Sequence, residues 1–266
     1  MDKFEQLVEI IKILRSNDGC PWDREQTHIS LKPMLVEECS ELLDAIDNND
    51  VENMKEELGD ILMHTIFHAQ IAEENGQFDI NDVLDEINAK MVRRHPHIFG
   101  DKNKIANPDD VIKLWEEIKA EEKKGKRSSS ILAGIPKNLP ALARAIKMQI
   151  KAAKVGFDWE REEDVFNKII EEFNELKEAY LNKNSDNIEE EIGDLLFSIV
   201  NLCRYRKTST SEELLHKTIN KFEQRFSYIE RELQKENIKL EDAGLKKMDS
   251  LWNEAKKIKT INFKSK

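Results

Sequence analysis

The stretch EECSELLDAIDNNDVENMKEELGDIL, residues 37–62, returns as EEFNELKEAYLNKNSDNIEEEIGDLL at residues 171–196. The two align without a gap at an offset of 134, and 12 of their 26 positions are identical. Each copy holds E-x-x-E and, at the same interval, E-x-G-D: Glu38, Glu41, Glu57 and Asp60 in the first, Glu172, Glu175, Glu191 and Asp194 in the second. A Glu- and Lys-rich chain makes one E-x-x-E by accident. Four carboxylates and a glycine in register, twice, mark a duplicated unit. Four carboxylates on paired helices are the donor set of a hard divalent cation.

Residues three and four apart share a helix face. Leu35, Glu38 and Leu42 therefore lie together, as do Met54, Glu57 and Ile61, with Ile169, Glu172, Leu176 and Ile188, Glu191, Leu195 in the second copy. Acids interrupt apolar stripes at the same places in both. An unpaired carboxylate in such a stripe is costly, and a cation held between two antiparallel helices removes that cost. The bland alternative is a set of surface acids, or acids paired with Lys and Arg. Gly59 and Gly193 stand inside these helices, where glycine is unfavourable. Close approach of a neighbouring helix or of a ligand would account for both.

Outward from the repeat, helical periodicity runs over about 2–15, 31–47, 51–74, 80–93, 108–124 and 138–154, then to 182, to 206, over 211–236 and 243–258. Asp2 with Glu5 reads as a capping box, and Asn49 with Glu52 as a cap for the helix after it. Asn17–Pro21, Asn75–Gln77 and Asn182–Asp186 read as breaks, and His95-Pro96-His97 as a loop. With 9 Gly and 36% charged residues the composition favours helices. The fold class expected is therefore all-α, as two tandem bundles. The domains are expected at 1–122 and 136–266, joined by a linker at 123–135 whose Lys, Gly and Ser cannot support a core. The end, Ile261–Lys266, is expected to fray.

The net charge of −11 argues against duplex nucleic acid, which needs a basic face. It does not exclude a phosphorylated small molecule, because a bound metal reverses the local field. Three scattered cysteines with no CxxC suit a reducing compartment. No signal-peptide pattern and no run of 18 apolar residues occurs. The expectation is a cytoplasmic protein without a membrane partner.

Downstream of each acidic block lies a cationic one. Lys90 and Arg94 are spaced i, i+4, as are Lys221 and Arg225; Trp115 and Lys119 return as Trp252 and Lys256. A triphosphate asks for metal on some oxygens, cations on the rest and a flat surface for its base. The plain alternative is solvated cations and core tryptophans. His64 and His68 follow Asp60 at i, i+4, but the second copy has Ser198 and Leu202 there, so local packing is expected rather than a histidine metal site. Trp22, in Cys20-Pro21-Trp22-Asp23, and Phe157-Asp158-Trp159 precede the acidic helices, where they suit a base pocket or a core edge.

These residues resemble the MazG family of nucleoside triphosphate pyrophosphohydrolases, from about residue 4 to about 258. The strings Gly19–Asp23, Arg93–His97 and Val155–Trp159 and the order of the two domains add to the acidic motif. The resemblance implies Mg²⁺-dependent hydrolysis of NTPs or dNTPs to the monophosphate and pyrophosphate, with Mn²⁺ as a substitute ion. It also implies a homodimer and a role in clearing nucleotides. Glu172, Glu175, Glu191 and Asp194 would hold the metal, Lys221 and Arg225 the phosphates, and Trp252 and Lys256 would border the nucleotide. The matching first-copy residues are Glu38, Glu41, Glu57, Asp60, Lys90, Arg94, Trp115 and Lys119, and the second domain would be the main catalyst. Two other classes compete. A di-iron carboxylate bundle needs two Glu-x-x-His motifs, and only Glu213–His216 fits. A nucleotide-sensing or scaffold protein would bind without turnover.

Overall fold

A computed structural model of the chain describes residues 2–100, 107–123, 130–207 and 209–258. Every regular element among them is a helix, and the chain divides into two compact units, residues 1–126 and 127–266. Most of the basic and Ser-rich stretch expected as a linker (124–129) and the end expected to fray (261–266) lie outside the described residues.

The first unit holds α1 (Lys3–Arg15), α2 (Pro21–Glu25), α3 (Lys32–Asn48), α4 (Val51–Glu74), α5 (Ile80–Arg94), α6 (Pro96–Phe99) and α7 (Pro108–Lys123). Asp2 and Glu5 form the expected capping box on α1. The turn between α3 and α4 departs from expectation. Asn49 closes α3 at a left-handed φ of 54°, a conformation asparagine tolerates. Asp50 caps α4 by accepting from Asn53 N at 3.1 Å, the usual role of an aspartate at that position. The His95–His97 stretch also departs: Pro96 opens α6, and His97 is buried. Proline is pre-set for a first helical turn.

The second unit holds α8 (Ala141–Ala153), α9 (Glu162–Leu181), α10 (Ser185–Arg206), α11 (Ser211–Lys235), a 3₁₀ turn (Leu240–Asp242) and α12 (Gly244–Ala255). Pro140 delays α8 by about a turn against the periodicity. The α9–α10 connection repeats the α3–α4 one: Lys183 takes φ 54° and Asn184 caps α10 through Asn187 N. These tight connections force each acidic pair of helices to run antiparallel, so E-x-x-E faces E-x-G-D.

The cores lie away from the acids. In the first unit Ile11, Leu31, Ile66, Phe67 and Ile71 pack with Leu7, Met34 and Met63, using the C-terminal half of α4. In the second, Ile229, Leu233 and Leu251 join α11 to α12, with Phe226 and Met248 beside them. The acid-bearing halves of α3, α4, α9 and α10 are covered on one side only. Leu43, Leu58, Leu62, Phe173, Ile192 and Leu196 remain exposed.

Ile66 is 1% exposed at the centre of the first core. Ile66→Ala should lower the stability of that unit by about 2–5 kcal/mol. Denaturant unfolding followed at Trp22 and Trp115, with Trp159 and Trp252 replaced by Phe, measures it.

Candidate metal centre

The antiparallel pairing brings three of the four acids together in each copy. One carboxylate oxygen from each of Glu38, Glu41 and Glu57 lies within 4.8 Å of the others, and the same holds for Glu172, Glu175 and Glu191. Asp60 and Asp194 stand outside these trios. They act through charge: Asp60 helps to raise Glu38 and Glu57, and Asp194 helps to raise Glu191. The convergent set is thus three groups with a fourth nearby, rather than the four the spacing suggested.

Glu57 and Glu172 are each only 6% exposed. Burial, and then the neighbouring acids, lift Glu57 and Glu191 above the ordinary carboxylate value of 4.5, because both disfavour the charged form. Burial followed by Asp60 and Glu41 lifts Glu38, and burial followed by Glu172 lifts Glu175. Among the described residues no cation pairs with Glu38, Glu41 or Glu57, and Glu191 Oε2 is buried without a hydrogen-bond partner. Crowded acids with an orphaned oxygen fit a hard divalent cation. Gly59 and Gly193 meet nothing: a Cβ at either would have no atom within 4 Å. Among the described residues no neighbouring helix comes within 4 Å of that point, so the close helix approach given as one of the two expectations is not met within the described chain.

Sequence reading passed over Lys168. Its Nζ lies 2.8 Å from Glu172 and 2.6 Å from Glu171, which raise it well above the ordinary lysine value. The i, i+4 spacing to Glu172 was available as a signal. Met34 stands at the matching first-copy position, however, so comparing copies hides it.

The cations expected downstream of each acidic block sit outside the acidic helices and, among the described residues, make no ion pair with either trio. In the first copy Lys90 pairs with Glu86 at 3.8 Å. Arg94 is tied to Glu122 at 2.7 Å, with Arg93 on the same carboxylate, and Glu122 is pulled down to about 2, first by Arg94. Lys119 lies 4.4 Å over the Trp115 ring, as its spacing predicts. In the second copy Arg225, not Lys256, covers Trp252, at 5.4 Å. Lys256 follows the last residue of α12 and donates to Asn253 Oδ1 at 3.2 Å instead. Among the described residues, Lys221 and Arg225 form no ion pair. Glu122 was missed because it falls beside the expected linker.

The histidines behave as packing groups. His64 is buried, His68 stacks on His28 at 5.1 Å, and neither joins a cluster of three ligating groups among the described residues. Glu213, from the single Glu-x-x-His, completes the α11 capping box with Thr210.

Because the native fold raises Glu191, it binds more protons there than the unfolded chain does. The resulting penalty is absent at acid pH and grows as pH rises from about 4.5 through the raised value. In metal-free buffer, Glu191→Gln should therefore gain melting temperature over the parent as pH rises above about 4.5, with the gain vanishing at lower pH. A pH series of calorimetric scans reads this difference. A gain that is independent of pH would refute the electrostatic account.

A family model of the MazG nucleotide pyrophosphohydrolase domain matches residues 26–99 and 160–229, one match on each acidic pair of helices. The "Nucleoside triphosphate pyrophosphohydrolase/pyrophosphatase MazG" of Thermotoga maritima is 50% identical over 253 residues, covering 95% of each chain. The "Nucleoside triphosphate pyrophosphohydrolase" of Escherichia coli K12 is 40% identical over 97% of this chain and 98% of its own. "Uncharacterized protein YabN" of Bacillus subtilis is 49% identical over 96% of this chain, which spans 52% of that relative. With the family's domain present twice and the first two of these relatives matched along nearly their whole length, the chain belongs to the MazG family.

Proposed function

We propose that this protein hydrolyses nucleoside triphosphates to the monophosphate and pyrophosphate, with the second copy as the main catalyst. The observation that carries the reading is the Glu172, Glu175, Glu191 trio, crowded, partly buried and holding an orphaned oxygen. The relatives named for this activity support it.

Glu172, Glu175 and Glu191, with Asp194 beside them, would hold Mg²⁺, or Mn²⁺ in its place. When bound, the ion would neutralise triphosphate oxygens and polarise the bond to be cleaved. The rest falls to side chains. A carboxylate oxygen of this set not used as a ligand orients an attacking water and accepts its proton. Lys221 and Arg225, paired with no carboxylate among the described residues, stabilise charge on the leaving pyrophosphate. Trp252 holds Arg225 by its ring face and borders the nucleotide together with Lys256. In the first copy Glu122 already neutralises Arg94, which weakens that copy as a phosphate site.

The exposed apolar side chains of α9 and α10, Phe173, Ile192 and Leu196 among them, support assembly as a homodimer that covers these faces. A role in clearing nucleotides from the cytoplasm, with no nucleic-acid partner, agrees with the net charge. Among the described residues no helix is long and apolar enough to cross a membrane.

Mg²⁺-dependent release of pyrophosphate with the monophosphate, abolished by chelation, is the expected result of an NTP and dNTP panel. Nucleoside diphosphate with inorganic phosphate would place the cleaved bond elsewhere, and binding without turnover would favour the sensing reading. Glu175→Gln should cost at least about 10²-fold in kcat/KM and Glu41→Gln less. Circular dichroism should show both variants folded. Light scattering at assay concentration should give twice the chain mass.

A further inference from the structure

We propose that Arg93, Arg94 and Lys119 of the first copy form a seat for a diphosphate group, and that Glu122 occupies this seat as an anion supplied by the chain itself. The proposal extends to the first copy the phosphate role given above to Lys221 and Arg225, and it names what keeps the seat closed.

Helix α5 ends on two consecutive arginines, and both reach one carboxylate of α7. Arg93 Nε donates to Glu122 Oε1 at 2.8 Å. Arg94 grips the same carboxylate twice, through Nη2 at 2.7 Å and Nε at 3.4 Å. A guanidinium fork meets phosphate oxygens in the way it meets carboxylate oxygens. A carboxylate held by two such forks therefore marks where phosphate oxygens would lie. Lys119 stands three residues before Glu122 on α7 and shares its face. Its Nζ lies 4.4 Å over the Trp115 ring, and the Arg94 guanidinium 5.9 Å from the same ring. Among the described residues Lys119 forms no ion pair. Trp115 Nε1 is buried without a hydrogen-bond partner, so one more donor is left over. Three cations thus gather about Trp115 and a single acid, with charge to spare for a larger anion.

An anion from solution can reach the clamp. The side chains of Arg94 and Glu122 are 20% and 23% exposed, and that of Arg93 is 53% exposed. Ion pairs open to water are held weakly. A diphosphate brings more charge and more acceptor oxygens than one carboxylate, so it can displace Glu122. Arg94 first, and then Arg93, hold Glu122 down at about 2. Glu122 therefore stays ionised at ordinary pH, and a competing anion rather than acid opens the seat.

The second copy lacks this closure. The spacing that carries Trp115 and Lys119 onto Trp252 and Lys256 sets Lys259 opposite Glu122. The spacing that carries Lys90 and Arg94 onto Lys221 and Arg225 sets Gln224 opposite Arg93. Lys259 lies outside the described residues, but its charge is opposite to that of Glu122. The acid and the extra arginine that meets it thus occur together in the first copy and are both replaced in the second.

The first copy also suits an anion that carries no heterocycle. The offset of 134 sets Phe67 at Asn201. Asn201 lines a hollow of about 350 Å³ beside α10, whereas Phe67 is 4% exposed in the core with Ile11, Leu31, Ile66 and Ile71. A phenyl ring that the core requires fills the place.

The test is calorimetric titration, with Mg²⁺ present, of methylenediphosphonate, a diphosphate analogue that resists hydrolysis. The whole chain is used with Lys221→Ala and Arg225→Ala, which remove the second copy's phosphate cations. In that background Glu122→Gln and Glu122→Lys should each bind the analogue at least about tenfold more tightly than the chain that keeps Glu122. Adding Arg94→Ala to Glu122→Gln should abolish the gain. Unchanged affinity in both Glu122 variants, or a gain that survives Arg94→Ala, overturns the proposal. Loss of the first unit's melting transition in both variants would make the clamp a brace between α5 and α7, and overturns it too. The α,β-methylene analogue of ATP, run alongside, should gain no more than the diphosphonate; a gain confined to the nucleotide would refute a seat for a bare diphosphate. No turnover is read. A chain that shows the gain and releases no pyrophosphate from nucleotides would defeat the hydrolase reading and leave this one standing.

Discussion

Two antiparallel helices that turn acids toward each other across their seam impose the constraint on which the rest depends. In each copy three carboxylates have oxygens within 4.8 Å of one another, and Glu57 and Glu172 are almost wholly buried. Like charges at that distance raise one another's proton affinity and oppose close packing of the seam. The fold tolerates this by placing its apolar cores elsewhere, at the far ends of the acidic helices and between α11 and α12. Stability comes from those cores, while the acidic seam is strained in a way that a cation would relieve.

Duplication has allowed the two seams to diverge around a common geometry. The second keeps Lys168 against Glu172, leaves Arg225 on the face of Trp252 and keeps a hollow beside α10. The first has Met34 where Lys168 would be, a carboxylate clamped on Arg94 and a phenylalanine in the hollow. The last two changes trade a group able to meet a ligand for one that meets the protein. These differences support the proposal that the second copy is the main catalyst, although both keep all four acids.

Much of this was legible beforehand. The repeat gave the helical pairs and their register, because E-x-x-E and E-x-G-D lie on helix faces whatever the surroundings. The capping box at Asp2 and Glu5, and the pairing of Trp115 with Lys119, are local and followed from spacing. Departures came where a distant residue or a special backbone conformation intervened. Asn49 moved from cap to left-handed turn residue, Pro96 opened a helix in place of a loop, and Arg225 displaced Lys256 from Trp252.

The sequence by itself determined the all-α duplicated architecture, the acidic motif and the family, since these rest on periodicity and on residues close together along the chain. Only the tertiary structure decided that three acids rather than four converge, that Glu122 holds Arg94, and that Phe67 fills what Asn201 leaves open. Those outcomes depend on side chains from separate helices competing for the same space and the same charge. Spacing along a single helix carries no information about that competition.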